Sequence, residues 1–233
     1  MTLTAGETPF SGKFMALIGN SVWVASAAAL VCAAAALWLA YAERLYPQRL
    51  VRGGVRVATL GYAVPGLVLA VALMLPMTSF DKWIATALRD VLDIRWGLLL
   101  TGTSAALIFV YVARFLTVAF NSTQAGLIQI HPQLDAAARS LGHSPGSVLR
   151  RVHLPLLRPA ILTGLLLVFI DVMKELPATL ILRPFNFETL ATWVYRYASD
   201  ERLAEASTAA LAIVLVSLVP TVMLSLSRRE GTD

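Results

Sequence analysis

The stretch FMALIGNSVWVASAAALVCAAAALWLAYA, running from Phe14 to Ala42, contains no Asp, Glu, Lys, Arg or His. A bilayer core about 30 Å thick is crossed by about 20 apolar residues at 1.5 Å per residue, so this stretch reads as a transmembrane helix with length to spare. It is not a lone anchor or signal segment, because charge-poor stretches recur along the whole chain. Of 233 residues, 58% are hydrophobic and only 14% charged, with a mean hydropathy of +0.71, which excludes a soluble domain with an ordinary charged surface. The small residues of SAAALVCAAAALWLA suit close helix packing. Cys32, the one cysteine, lies inside this run, so no disulfide framework or Cys-based metal site can be built within the chain.

Working outward, Val57 to Phe80 is a second charge-free stretch, Trp96 to Ala113 a third that uncharged residues extend to Phe120, and Ala206 to Ser227 another. Between Arg158 and Arg183 the chain is apolar except for Asp171, Lys174 and Glu175, giving a span with charge in its interior. Five spans are expected in one domain, 1–233: an all-α, polytopic membrane helical bundle. Alternate loops then differ in charge. One side collects Arg44, Arg49, Arg52, Arg56, Arg114, Arg139, Arg150, Arg151, Arg158, Arg228 and Arg229 against four acids, while the other has seven bases and eight acids. The positive-inside rule makes the first side cytoplasmic, with the N-terminus outside and the C-terminus inside. The net charge of +5 is therefore topological, which removes the main support for a nucleic-acid partner and leaves membrane lipid as the surroundings.

The long loop on the basic side, residues 121–159, contains two short helical patterns. LDAAARSL, Leu134 to Leu141, is alanine-rich, and Gly142 follows as a left-handed cap. Ser144 and Pro145 read as an N-cap followed by proline at the first helical position, opening a second helix through Val148 and Val152. Two short helices at the inner face would make a compact docking knob.

DAAARSLGHSPGSVLRRVHLPLLRPAI resembles the cytoplasmic EAA loop of the membrane-spanning subunits of binding-protein-dependent ABC importers. In that pattern Glu-Ala-Ala is followed after three residues by Gly, and after nine more by a β-branched residue, any residue, Leu and Pro. Ala137, Ala138, Gly142, Val152, Leu154 and Pro155 match. Ala136 stands at the glutamate position, with Asp135 supplying a carboxylate one residue earlier. The resemblance implies a type I ABC importer transmembrane domain in a bacterial inner membrane. Its loop, through Asp135, Ala136, Ala137, Ala138, Gly142, Leu154 and Pro155, would couple to separate ATPase subunits, two per complex. It further implies a second permease half or a homodimer, and an extracytoplasmic solute-binding protein. FIDVMKELPATLILRPFNFETLATWVYRYASDERLAEASTAALAIVLVSL, PGLVLAVAL and GTSAALIFVYVARFL are similar to ferric-iron-type permeases, so ferric iron is the expected cargo. Permeases of thiamine, phosphonate, sulfate and molybdate share the loop. Because that subfamily commonly has two homologous halves, the chain looks like a C-terminal half lacking its first helix.

Asp171, Lys174 and Glu175 fall at i, i+3 and i+4, on one face of a continuous helix. Charge at that depth is costly unless paired or facing water. These residues, with Pro177, either line or gate a translocation path or form an internally neutralised helix contact; a proton or ion relay in an ATP-independent transporter is the competing class. His131, His143 and His153 lack the i, i+4 spacing of a helical metal site and read as loop residues in contact with water or a partner. Pro65, Pro76, Pro177 and Pro220 are hinges or static kinks. There is no GxxxxGK[ST] phosphate loop and no recognisable nucleophile-base-acid set, so no enzymatic activity, cofactor or metal is expected, and ATP hydrolysis would belong to another subunit.

Overall fold

The computed structural model describes residues 12–92 and 100–229, and every regular element among them is helical. In chain order these are α1 (Gly12–Leu45), α2 (Arg49–Ala58), α3 (Gly66–Leu92), α4 (Ser104–Gln129), α5 (Pro132–Ser140), α6 (Pro145–Val148), α7 (Leu154–Met173), α8 (Pro177–Leu182), α9 (Leu190–Ser199) and α10 (Leu203–Arg229). A 3₁₀ turn at Gly61–Ala63 precedes α3, and a π turn at Leu149–His153 joins α6 to α7. Five of the described segments are long and apolar enough to cross a membrane: Gly12–Leu45, Gly66–Asp90, Ser104–Gln129, Pro145–Met173 and Leu203–Val222.

The core is made by α1, α4 and α7, each packed against the other two. Along α1, Ala25, Ala28, Ala29, Cys32, Ala36 and Ala40 repeat at helical spacing and are fully or almost fully buried, so the small-residue stripe is the packing face. It receives larger side chains from α4, where Leu107, Val110, Tyr111 and Phe115 are buried in turn. The opposite face of α1 shows Trp23, Leu30 and Trp38 to the outside. Around this core α10 lies against α9 and α7, and α3 against α8 and α4.

Several span boundaries differ from the sequence expectation, each for a local reason. The second span starts at Gly66 rather than Val57, because Pro65 bars the preceding residue from helical conformation; Val57 and Ala58 end α2. This span therefore carries Asp81 in its interior, almost fully buried, its carboxylate accepting hydrogen bonds from the backbone N–H groups of Leu100 (2.9 Å) and Thr101 (2.7 Å). Trp96, the expected start of the third span, lies outside the described residues, as do Arg95, Glu230 and Asp233 of the charge tally. The described α4 begins at Ser104 with Thr103 as its N-cap and runs to Gln129, so residues 121–129 continue the helix. Arg114 consequently sits inside α4 and not in a loop. The fourth span stops at Met173 instead of reaching Arg183, and α9 is a helix that the hydrophobic pattern does not mark.

Candidate functional site

The first of the two helical patterns after α4 forms as a separate helix, α5. His131 Nδ1 accepts from the Gln133 N–H (3.3 Å) and Pro132 opens α5; the helix closes in a Schellman motif, with His143 N–H on the Ala138 carbonyl (3.0 Å), Gly142 N–H on the Arg139 carbonyl (3.0 Å), and Gly142 at φ +79°. Ser144 caps α6. Ala136 and Ala137 are exposed, flanked by Leu134 and Leu141 at 44% and 76% exposure, so α5 presents a small-residue face between two apolar side chains. Ala138 is buried, Leu154 half-buried and Pro155 exposed. The second helical pattern is not a separate helix: α6 passes through the π turn directly into α7. The turn lies where Pro155, lacking an N–H, leaves the Arg151 carbonyl without its usual partner.

Asp135 faces inward. Arg44, in the last turn of α1, donates from Nε to Asp135 Oδ2 (2.8 Å) and from Nη1 and Nη2 to the carbonyls of Leu127 (2.6 Å) and Ile130 (2.9 Å), where α4 ends and the Leu127 carbonyl also takes the Ile130 N–H (3.3 Å). His153 Nε2 lies 2.7 Å from Asp135 Oδ1, and the His153 ring meets Tyr41 edge-on at 5.4 Å. Tyr41 in turn donates to the Pro145 carbonyl (2.7 Å). His153 is thus 1% exposed, which corrects its reading as a loop histidine facing water or a partner. His143 is exposed, near Ser147 Oγ at 3.5 Å. Among the described residues no group of three or more His, Cys, Asp or Glu is placed to hold a metal ion.

The second charged cluster is split by the end of α7. Lys174 caps that helix, so Asp171, Lys174 and Glu175 do not share one face. Lys174 pairs with Asp171 at 2.9 Å and is largely exposed. Glu175 turns the other way, buried, with Oε2 3.6 Å from Arg114 Nε and Oε1 accepting the Ala178 N–H (3.2 Å). Thr179 donates to the Glu175 carbonyl (2.6 Å), and the buried Tyr111 hydroxyl donates to Thr179 Oγ1. Pro177 starts α8, so it marks a break rather than a kink, as Pro65 does before α3; Pro76 and Pro220 lie inside α3 and α10. Composition had hidden the partner: Arg114 reads as a loop base unless α4 is carried past it.

At the opposite end of α1 from the loop, a cavity of about 760 Å³ is lined by Lys13, Asn20, Arg183, Glu188, Trp193 and Arg196 among others. Arg183 and Arg196 both reach Glu188 Oε1, at 3.4 and 2.8 Å.

One short helix, α5, thus hangs on the inner ends of α1, α4 and α7, within a bundle that has five helical segments apolar enough to span a membrane. Residues 33–229 match the family model of the binding-protein-dependent transport system inner membrane component. The chain belongs to that family. It is 31% identical over 212 residues to the Fe(3+)-transport system permease protein FbpB 2 of Haemophilus influenzae, covering 91% of this chain and 39% of that protein. It is also 35% identical over 120 residues to PhnV of Salmonella typhimurium, which carries the provisional name of a 2-aminoethylphosphonate transport system permease protein, covering 52% of this chain and 43% of the relative. The chain thus spans about two fifths of the length of these relatives. In fold it is similar to a bacterial ABC transporter involved in the import of alginate (TM-score 0.70, 17% identity, 97% of this chain and 82% of that one). It is likewise similar to the inward-facing MetNI methionine ABC transporter (TM-score 0.65, 18% identity, 96% and 100%). As a member of this permease family with five candidate spans, it is a multi-pass membrane protein.

Proposed function

We propose that this chain is one of two permease units forming the translocation path of an ATP-driven importer in the bacterial inner membrane, with ferric iron as cargo. The observation that carries the reading is the α5 knob: Ala136 and Ala137 are exposed between Leu134 and Leu141, small enough for another protein's groove to approach the helix backbone, and Gly142 reverses the chain at once. A separate ATPase subunit is the partner for that face, and a second permease unit engages the second ATPase. The loop is cytoplasmic. The cavity at the far end of α1 then opens on the extracytoplasmic side, where a solute-binding protein delivers cargo. ATPase closure favours the outward-facing bundle, and nucleotide release the inward-facing one. Asp171, Lys174, Glu175 and Pro177 belong to the gating region, where α7 is interrupted. Similarity to FbpB 2 over 91% of the chain supports ferric iron, and the shorter match to PhnV makes phosphonates the cargo to test against it.

The test is co-purification from membranes with an ATPase and a binding protein, then reconstitution in liposomes. Binding-protein-stimulated ATP hydrolysis with uptake of radiolabelled ferric iron, and two permease units per two ATPases on crosslinking, are the expected results. Cargo flux without nucleotide, or an active single permease unit, would overturn the reading.

A further inference from the structure

We infer that the inner end of α1 and the α5 knob form one mechanical body, held by Arg44, with Tyr41 and His153 as secondary positioning residues, so that ATPase movement reaches the bundle through α1 as well as through α7. This rests on the function proposed above and adds a route of transmission to it. By chain connectivity alone α5 is tied to the bundle at its two ends, through α4 before it and through α6 and the π turn after it. The structure adds a third attachment that is long-range in sequence. One guanidinium spans three acceptors, Asp135 on α5 and the carbonyls of Leu127 and Ile130 at the end of α4. Three N–H donors in a fixed planar fork, each with its own acceptor, hold position in a way that one ammonium cannot. Three residues earlier on α1, Tyr41 holds the start of α6 through the Pro145 carbonyl. His153 stands beside this contact from the π turn, its Nε2 2.7 Å from the second Asp135 oxygen without hydrogen-bond geometry.

The Arg44 and Asp135 side chains are only 16% and 21% exposed, so water competes weakly for these contacts. Asp135 is therefore spent on the inside of the loop, which explains why the carboxylate stands one residue before the alanine at the usual glutamate position. It does not project from the face offered to the ATPase. α1 is also the helix with most of its packing face against α4 and α7, so a displacement delivered to its end is delivered to the bundle core.

The experiment uses the full transporter, this chain with its co-purifying ATPase and binding protein, in proteoliposomes. Arg44→Ala is expected to keep ATPase subunits bound and basal hydrolysis intact, while binding-protein-stimulated hydrolysis and uptake fall by about tenfold or more, the usual scale of a lost coupling between sites. Arg44→Lys, which keeps the charge but not the fork, is expected to recover only part. The deciding variant joins Arg44→Cys and Asp135→Cys in a Cys32→Ser background. It is expected to be uncoupled when reduced and to regain stimulation when joined by a short bismaleimide, because the two residues move together. A crosslinked pair that blocks turnover, or one equally inactive in both states, overturns the inference, as does full stimulated activity in Arg44→Ala. Should Arg44→Ala fail to reach the membrane, the crosslinked and reduced states of the one double-cysteine protein still decide. Failure of the wild-type chain to retain any ATPase would instead sink the proposed function.

Discussion

Arg114 and Glu175 stand 3.6 Å apart, Nε to Oε2, each inside the helical bundle, Arg114 from the middle of α4 and Glu175 from the break between α7 and α8. The two side chains are 20% and 7% exposed, and Arg114 Nε and Nη1 have no hydrogen-bond partner among the described residues. Gly66 backs directly onto the pair: a Cβ there would meet Arg114 Nη1 and lie 2.8 Å from Glu175 Oε1. The start of α3, the middle of α4 and the break after α7 are thus joined at one charged contact.

Removing one partner of a buried pair leaves the other charge unpaired in a low-dielectric setting. Glu175→Ala is expected to cost about 3 kcal/mol, and Arg114→Met with Glu175→Leu together less than Glu175→Ala alone. Thermal unfolding of the detergent-solubilised protein measures both. A double variant less stable than the single one would mean that the pair is a net stabilising contact and not a device retained for movement.

Gly61 is more tightly constrained than Gly66, because what it meets cannot swing away. A Cβ at Gly61 would fall 2.8 Å from the Ala113 carbonyl carbon and closer still to its oxygen, both backbone atoms of α4, whereas at Gly53 it would meet nothing within 4 Å. Gly61→Ala is expected to lower the melting temperature by several degrees, and Gly53→Ala, in the exposed interior of α2, to leave it unchanged or raise it slightly. Equal effects at the two positions would mean that α4 does not approach the 3₁₀ turn this closely.

Two helix ends show why one part of the fold was legible and another was not. α5 and α9 both close in Schellman motifs: His143 and Arg202 donate back to Ala138 and Tyr197, and the intervening left-handed residues are Gly142 at φ +79° and Glu201 at φ +59°. Glycine advertises that conformation and glutamate does not, so α5 could be read and α9 could not. A signal did exist at the start of α9, where Thr189 and Thr192 exchange hydrogen bonds as a capping box. The five spans were legible because hydrophobic length alone decides them. The α7 break was not, since Pro177 tolerates either a kink or a stop, and Arg114, which meets Glu175 at the break, lies on another helix. The inward turn of Asp135 was hidden likewise, because its partner Arg44 lies on another helix.

The α9 end yields a prediction of its own. A non-glycine residue in the left-handed region costs roughly 1 kcal/mol, and the Glu201 backbone serves only to close the helix. Glu201→Gly is therefore expected to stabilise the protein by up to about 1 kcal/mol, less whatever the unfolded chain gains in freedom. The readout is again thermal unfolding. Destabilisation would mean that the Glu201 side chain makes a contact worth more than the strain.

Topology has a direct check at Ser140, an exposed residue at the end of α5. With Cys32 buried and so silent to a membrane-impermeant maleimide, Ser140→Cys is expected to react in inverted vesicles and not in right-side-out ones. Labelling from the outside would reverse the orientation argued from the basic loops.

The proposed coupling role turns on Gly142. Its φ of +79° is one that a β-branched residue adopts only at a cost of about 1–2 kcal/mol, and no atom lies within 4 Å of a Cβ placed there. Any defect on substitution is therefore one of backbone conformation and not of packing. The contacts of Arg44 with Asp135 and of Tyr41 with the Pro145 carbonyl lie on either side of this turn and do not involve Gly142, so Gly142→Val is expected to insert and fold, while the reversal that sets the angle of α5 is lost. Binding-protein-stimulated ATP hydrolysis and uptake should then fall together, with ATPase binding weakened. Gly142→Asn, which enters the left-handed region more readily, should retain much of the activity. The neighbouring His143→Ala should change little, because that ring is exposed and lies 3.5 Å from the Ser147 hydroxyl at the surface. If Gly142→Val kept full stimulated hydrolysis and uptake, the α5 reversal would not be needed for coupling, and the reading of the loop as the site where the ATPase docks would lose its main support.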